Sequence, residues 1–163
     1  MAAKSRKDKN KNEAGPVAVN KKAYRNFELL DKFEAGLELL GSEVKSLRGA
    51  AADLSGSYAR VEDEQCWLVG AGIAQYEQAG SRQHEPTRKR KLLLHRAEIH
   101  RLRVKLEQRG FTLVPLRIYF NARGLAKIEL ALAKGKRQYD KRQSIADRDQ
   151  KREVDRNMKK YRR

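Results

Sequence analysis

The chain has 163 residues, 38 of them Lys or Arg against 21 Asp or Glu, for a net charge of +17. That length suits one domain with a real core plus tails. No apolar run approaches the roughly 20 residues of a membrane helix, the start MAAKSRKDKNKN lacks the apolar stretch of a secretory signal, and the lone Cys66 rules out an internal disulfide. A cytoplasmic protein is expected.

The charge is uneven. Residues 1–22 carry seven basic and two acidic side chains and residues 134–163 carry thirteen and five, which leaves +4 of the +17 for residues 23–133. Both ends repel themselves and hold too few apolar residues to offset the entropy of ordering. Nucleic acid is the expected partner of such ends, because each neutralised phosphate releases condensed counterions. An anionic membrane would favour Trp, Phe and Leu opposite the basic face, and the C-terminal end has almost none, so a membrane is not assigned as a partner; RNA is the nucleic acid expected, and no DNA partner is assigned.

Residues 1–22 read as a flexible basic arm. From Tyr24 to Leu40 the pattern predicts a long strand, with Phe27, Leu29, Phe33, Leu37 and Leu39 on odd positions and a bend or bulge at Gly36. Ser42 then caps a short helix, Glu43 suits its positive end, Val44 and Leu47 form an apolar pair, and Gly49 stops it. Residues 56–62 and 65–70 predict two strands joined across Asp63-Glu64, and residues 71–76 a further short strand. A polar connection over 77–91 ends in the basic run Arg88-Lys89-Arg90-Lys91, followed by Leu92-Leu93-Leu94-His95. Two readings of that run stay open: a solvated helix end, or a docking edge where cations meet phosphates and an apolar side chain meets a ribose or base.

Residues 96–109 predict a helix with Ile99, Leu102 and Leu106 on one stripe and Arg96, His100 and Arg103 on another, ended by Gly110. Residues 111–120 and 125–134 predict a strand pair across the loop Asn121–Gly124, with an edge or bulge near Pro115. The fold class is therefore mainly β: an OB-like antiparallel six-stranded barrel with about three flanking helices over residues 23–134, and basic tails over 1–22 and 135–163. In a helical tail Val154, Met158 and Tyr161 form one stripe and Arg148, Arg152 and Arg156 another. Its ion pairs are too weak to hold a free helix against the nucleation cost, so the tail is expected to be disordered alone and helical on an anionic template.

No catalytic set stands out. Lys134-Gly-Lys136 lacks the spacing of a phosphate-cradling loop. His95 and His100 are five apart, off a common helix face, and the histidines read as surface or RNA-facing groups rather than metal ligands. Cys66 reads as a buried core thiol. Most of Tyr58, Trp67, Tyr76 and Tyr119 are expected in the core of so small a barrel, with stacking on bases the lesser role. No metal or cofactor is implied, and the chain is not read as an enzyme.

Five segments, in order, resemble the SmpB family of SsrA-binding proteins: Phe33–Gly36, Gly41–Arg48, Gly56-Ser57-Tyr58, Pro86–His95 and Ala133–Arg142. The resemblance implies an oligonucleotide-binding barrel that grips the tRNA-like domain of transfer-messenger RNA (tmRNA). It also implies delivery to the A site of ribosomes stalled on messages without a stop codon, where trans-translation rescues the ribosome and adds a degradation tag. By position Glu34, Leu93 and His95 match the family's RNA contacts; other members carry Asn at His95, and both side chains hydrogen-bond a base. Lys127 and Lys134 match basic positions near the RNA and the ribosome. Lys45 and Arg48 in the second segment, and Arg88, Arg90 and Lys91 in the fourth, complete the expected RNA-binding set. A carboxylate such as Glu34 can accept hydrogen bonds from guanine or cytosine edges, or orient a nearby Arg. The tail set begins with Lys136, Arg137, Tyr139, Asp140, Lys141 and Arg142, where Tyr139 replaces the His of some members and favours stacking on rRNA. It continues through Arg148, Arg152, Arg156, Met158 and Lys159, which are expected to enter an empty mRNA channel. A monomer is expected. A ribosomal or other constitutive rRNA-binding protein is the alternative.

Overall fold

A computed structural model of the chain describes residues 15–80 and 83–136, together with Val154 and Met158. The expected tail positions Arg137, Tyr139, Asp140, Lys141, Arg142, Arg148, Arg152, Arg156 and Lys159 lie outside the described residues. Val154 and Met158 have helical backbone and exposed side chains.

Six antiparallel strands close into a ring. In chain order they are β2 (Phe27–Leu37), β4 (Tyr58–Glu62), β5 (Gln65–Val69), β7 (Arg90–Leu93), β8 (Phe111–Phe120) and β9 (Ala126–Gly135). Around the ring they run β8-β4-β5-β7-β2-β9, and the β8–β9 hairpin closes it. The expected six-stranded barrel is present, with one strand exchanged. Residues 71–76 do not join the ring; only Gly72–Ile73 (β6) is extended, and it pairs with Ala52–Asp53 (β3) in a separate two-stranded sheet. The sixth ring strand is β7, in which the basic run gives way to leucines. The helix-end reading of that run is thereby corrected.

The interior holds Ala35, Leu68, Leu92, Leu113, Ile118, Ile128 and Leu130, all essentially inaccessible, with Cys66 among them. Burial pushes the Cys66 thiol up to about 11, as befits an inert core group. A second apolar cluster, Val114, Leu116, Ala131 and Ala133, lies on the other face of β8 and β9 and is covered by Ala23 of α1 (Lys21–Asn26) with Phe27 and Leu29. The bulge in β2 serves both. It falls between Leu29 and Lys32, not at Gly36 as expected. One extra residue reverses side-chain facing, so Phe27 and Leu29 join the second cluster while Phe33, Ala35 and Leu37 join the interior.

The expected basic arm ends earlier than residue 22. Ala18–Val19 (β1) pairs with Ile118 and Arg117 of β8, and residues 24–26 belong to α1, not to a strand. Asn20 fastens this segment. Buried at 4% exposure, its amide donates to the carbonyls of Leu54 (3.1 Å) and Pro115 (3.0 Å), and its Oδ1 accepts from Ala23 N–H (3.1 Å). The irregularity in β8 lies between Pro115 and Arg117. This is the expected place, because proline removes a ladder donor.

Two helices complete the body. In α2 (Gly41–Arg48) the N-cap is Leu40, not Ser42, and Glu43 accepts the Leu40 N–H at 2.7 Å. α3 (Arg96–Leu106) packs on β4 and β8 and sends Leu102 into the core. Asp63 and Glu64 both take positive φ (47° and 55°), a tight turn matched to strand twist.

Candidate RNA-binding face

Strand alternation decides which side chains of the basic run reach the surface. In β7 Arg90 and Leu92 point inward and are buried, while Lys91 and Leu93 point outward, Leu93 at 54% exposure. Leu93 pairs with Gly36 of β2, which in turn pairs with Lys127 of β9, and Lys127 pairs with Tyr119 of β8. Four strands thus bring Leu93, Lys127, Tyr119 and Glu34, two residues from Gly36, to one outer face. A glycine at the centre leaves Leu93 room to settle close to the strand. A Cβ on residue 36 would lie 3.3 Å from Leu93 Cβ and 3.4 Å from its Cδ1. Leu93 therefore lies flat on bare backbone. His95, the N-cap of α3, is exposed just beyond, its N–H held by Glu98 Oε2 at 3.0 Å.

Among the described residues Glu34 meets a tyrosine and a lysine. Its Oε2 accepts the hydroxyl of Tyr119, and Lys127 Nζ stands 3.4 Å from its Oε1. Tyr119 is buried to 3% exposure, while the Glu34 side chain keeps 53%. One strand pair along, Glu129 accepts from Arg117 Nε at 2.5 Å and meets Lys32 Nζ at 3.1 Å. Burial alone would raise the Glu129 carboxyl; the hydrogen bonds and charges of Arg117 and Lys32 bring it below the ordinary carboxylate value. The Arg117 guanidinium also lies 5.0 Å from the Tyr119 ring centroid. The two carboxylates are thus matched to three cations on this face.

Arg88 and Arg90 serve a different purpose from the one their sequence suggests. Glu43 of α2 is fully buried, and its carboxylate accepts from Arg88 Nε (2.8 Å), Arg88 Nη2 (2.6 Å) and Arg90 Nε (2.9 Å). Arg90, with no exposure, donates further to the carbonyls of Ala71 (2.7 Å), Pro86 (2.8 Å) and Arg88 (3.1 Å). Burial raises the Glu43 carboxyl, but Arg88, the Leu40 N–H and Arg90 outweigh it and leave it below its ordinary value. Arg90 is corrected from an RNA contact to an internal clasp between α2 and β7. Arg88 is mostly spent in the same clasp, its side chain 28% exposed.

The other expected residues are scattered. Lys45 and Arg48 are exposed on α2, over the rings of Tyr76 (5.1 Å) and Phe120 (5.9 Å). Lys134 sits seven residues along β9 from Lys127, about 23 Å away at strand rise, opposite Glu28 and Phe111. Lys136 donates its N–H to Asn26 O at 3.0 Å, where the chain leaves the barrel. Of the four aromatics singled out, Tyr119 is buried, Tyr58 is exposed and Trp67 and Tyr76 are half-buried, contrary to the expectation of a core role for most. His84 is buried too, between Ser42 Oγ (3.0 Å) and Ile73 O (3.2 Å), so the reading of the histidines as surface groups fails for it. Sequence reasoning missed the roles of Tyr119, Arg117, Glu129 and Glu43. The hairpin loop fixes Tyr119 opposite Lys127 and so offered a local signal for that pair, whereas Glu43 lies 45 and 47 residues from its partners.

The family model for SmpB protein matches residues 17–160. The chain belongs to the SmpB family. An SsrA-binding protein of Symbiobacterium thermophilum is 51% identical over 149 residues, covering 91% of this chain and 94% of that protein. The SsrA-binding protein of Thermosipho africanus is 46% identical over 145 residues, covering 89% and 95%. A solved chain described as "tmRNA-SmpB: a journey to the center of the bacterial ribosome" matches at 48% identity with a TM-score of 0.64, covering 78% of this chain and 92% of that one. The outer face around Gly36 is thus a feature of an SmpB barrel.

Proposed function

We propose that this SmpB family member binds the tRNA-like domain of tmRNA and carries it to the A site of stalled ribosomes for trans-translation. It acts in the cytoplasm as a binding protein rather than a catalyst. The observation that carries the reading is the gathering of Glu34, Leu93 and Lys127 around Gly36, in a chain whose relatives are SsrA-binding proteins. An exposed leucine flanked by a carboxylate, a lysine and His95 suits an RNA whose unstacked bases are accessible. Such a face favours a folded RNA over a regular duplex. Among the described residues no helix is long and apolar enough to cross a membrane.

The organisation proposed is a barrel that recognises shape and a basic C-terminal segment that contacts the ribosome. Residues 134–163 carry thirteen basic and five acidic side chains, and the chain leaves the barrel at Lys136, far along β9 from Lys127. Lys136 through Arg142, with Arg148, Arg152, Arg156, Met158 and Lys159, enter an empty mRNA channel, where lining phosphates supply the energy to order them. A message already in the channel excludes them, so this ordering senses vacancy. The test is deletion of residues 140–163. Binding to tmRNA is expected to stay near wild type while tagging is abolished; joint loss of both would contradict the division. Purification from cells followed by sequencing of the bound RNA separates this role from constitutive rRNA binding: one small structured RNA is expected, bulk rRNA is not.

A further inference from the structure

We propose that Tyr119 is a positioning residue that fixes the Glu34 carboxylate as a hydrogen-bond acceptor for the donor edge of an RNA base. This deepens the tmRNA-binding reading and rests on it. Tyr119 is 3% exposed, and β8 and its packing hold the ring in place, with the Arg117 guanidinium over it at 5.0 Å. Its hydroxyl donates to Glu34 Oε2, a group on a different strand that is itself half in water. The bond satisfies the buried hydroxyl, and on the side of the half-exposed carboxylate, which water could serve equally well, its added effect is orientation. It removes the rotamer freedom of a glutamate, a cost otherwise met on binding.

Lys127, 3.4 Å from Oε1, offsets the anion's repulsion of phosphate without burying it. Each carboxylate oxygen has two lone-pair directions, so one on each oxygen remains for a ligand. The matching ligand group is a pair of adjacent N–H donors, as on the Watson–Crick edge of an unpaired guanine, or the exocyclic amine of cytosine.

The test is a double-mutant cycle on the full chain, read as affinity for a transcript of the tmRNA tRNA-like domain at fixed salt, with thermal melting as the folding control. Tyr119→Phe keeps the ring and removes only the hydroxyl; it is expected to weaken binding about tenfold, the worth of one hydrogen bond to a charged group. Glu34→Ala is expected to weaken it at least as much, and the double variant to bind no worse than Glu34→Ala alone. Additive losses, or full affinity for Tyr119→Phe beside a weakened Glu34→Ala, overturn the positioning role. Full affinity for Glu34→Ala instead overturns the RNA-contact reading beneath it. Glu34→Asp, which keeps the charge but withdraws it by one methylene from Tyr119, gives an independent arm should the phenylalanine variant melt early. It must lose affinity, and wild-type binding by it would end the proposal.

Discussion

Glu43 has no access to water and faces two guanidiniums, so its weight in the structure is set by what its loss would strand. Removing one partner of a buried ion cluster costs about 3–5 kcal/mol, because the remaining charge stays buried without compensation. That is a large part of the roughly 5–15 kcal/mol that holds a domain together. Glu43→Gln is therefore expected to lower stability by about 3 kcal/mol or more in urea titrations. The pH dependence has a definite sign. The folded Glu43 carboxyl lies below its ordinary value of 4.5, so its contribution is complete above that value and is lost as pH falls through the depressed one. Wild type should steepen its loss of stability in that acid range, and Glu43→Gln should lack this component. Leu93 presents the opposite case. At 54% exposure it contributes little to folding, so Leu93→Ala should melt near wild type while its affinity for the tRNA-like domain falls severalfold. Early melting of that variant would argue for a packing role instead.

Among the elements, β2 does most to build the candidate face. Its bulge between Leu29 and Lys32 turns one apolar stripe into two, and at Gly36 it pairs with both β7 and β9, with room for Leu93 alongside. Gly36→Val places a branched side chain where a Cβ alone would sit 3.3 Å from Leu93. The variant is expected to keep the barrel by circular dichroism and lose RNA affinity. Asn20 does the equivalent for β1 and α1. Asn20→Ala strips the amide donor from the carbonyls of Pro115 and Leu54, the latter keeping Ser57, and should cost about 1–2 kcal/mol, seen as a lower urea midpoint. The hairpin of β8 and β9 was legible in the sequence because its signals are local: alternating residues, a four-residue loop with Gly124 at positive φ, and Pro115 marking the irregularity. β7 was hidden because strand alternation runs through Arg90 and Lys91, and two cations give no clue which one is inside. The bulge was misplaced because its cause is nonlocal: β2 must serve an outer cluster near Leu29 and the interior from Phe33 onward. Of the site, Glu34, Leu93 and Lys127 were legible by family resemblance, but their meeting depends on pairings across β7, β2 and β9.

Taken whole, the proposed organisation separates recognition from attraction. Residues 23–133 carry only +4 of the total +17, and cations near the candidate face and α2 are already engaged: Arg88 and Arg90 with Glu43, Arg117 and Lys32 with Glu129, Lys127 with Glu34. A barrel of such small net charge should bind RNA with a shallower salt dependence than the full chain, since the slope counts the phosphates neutralised. The most direct measurement is competition between the tRNA-like domain of tmRNA and an unrelated RNA duplex of equal length for the full chain at moderate salt, repeated with Leu93→Ala. A clear preference for the tRNA-like domain is expected, and Leu93→Ala should sharply reduce it. Equal affinity for the two RNAs, or a preference unchanged by Leu93→Ala, would contradict that expectation.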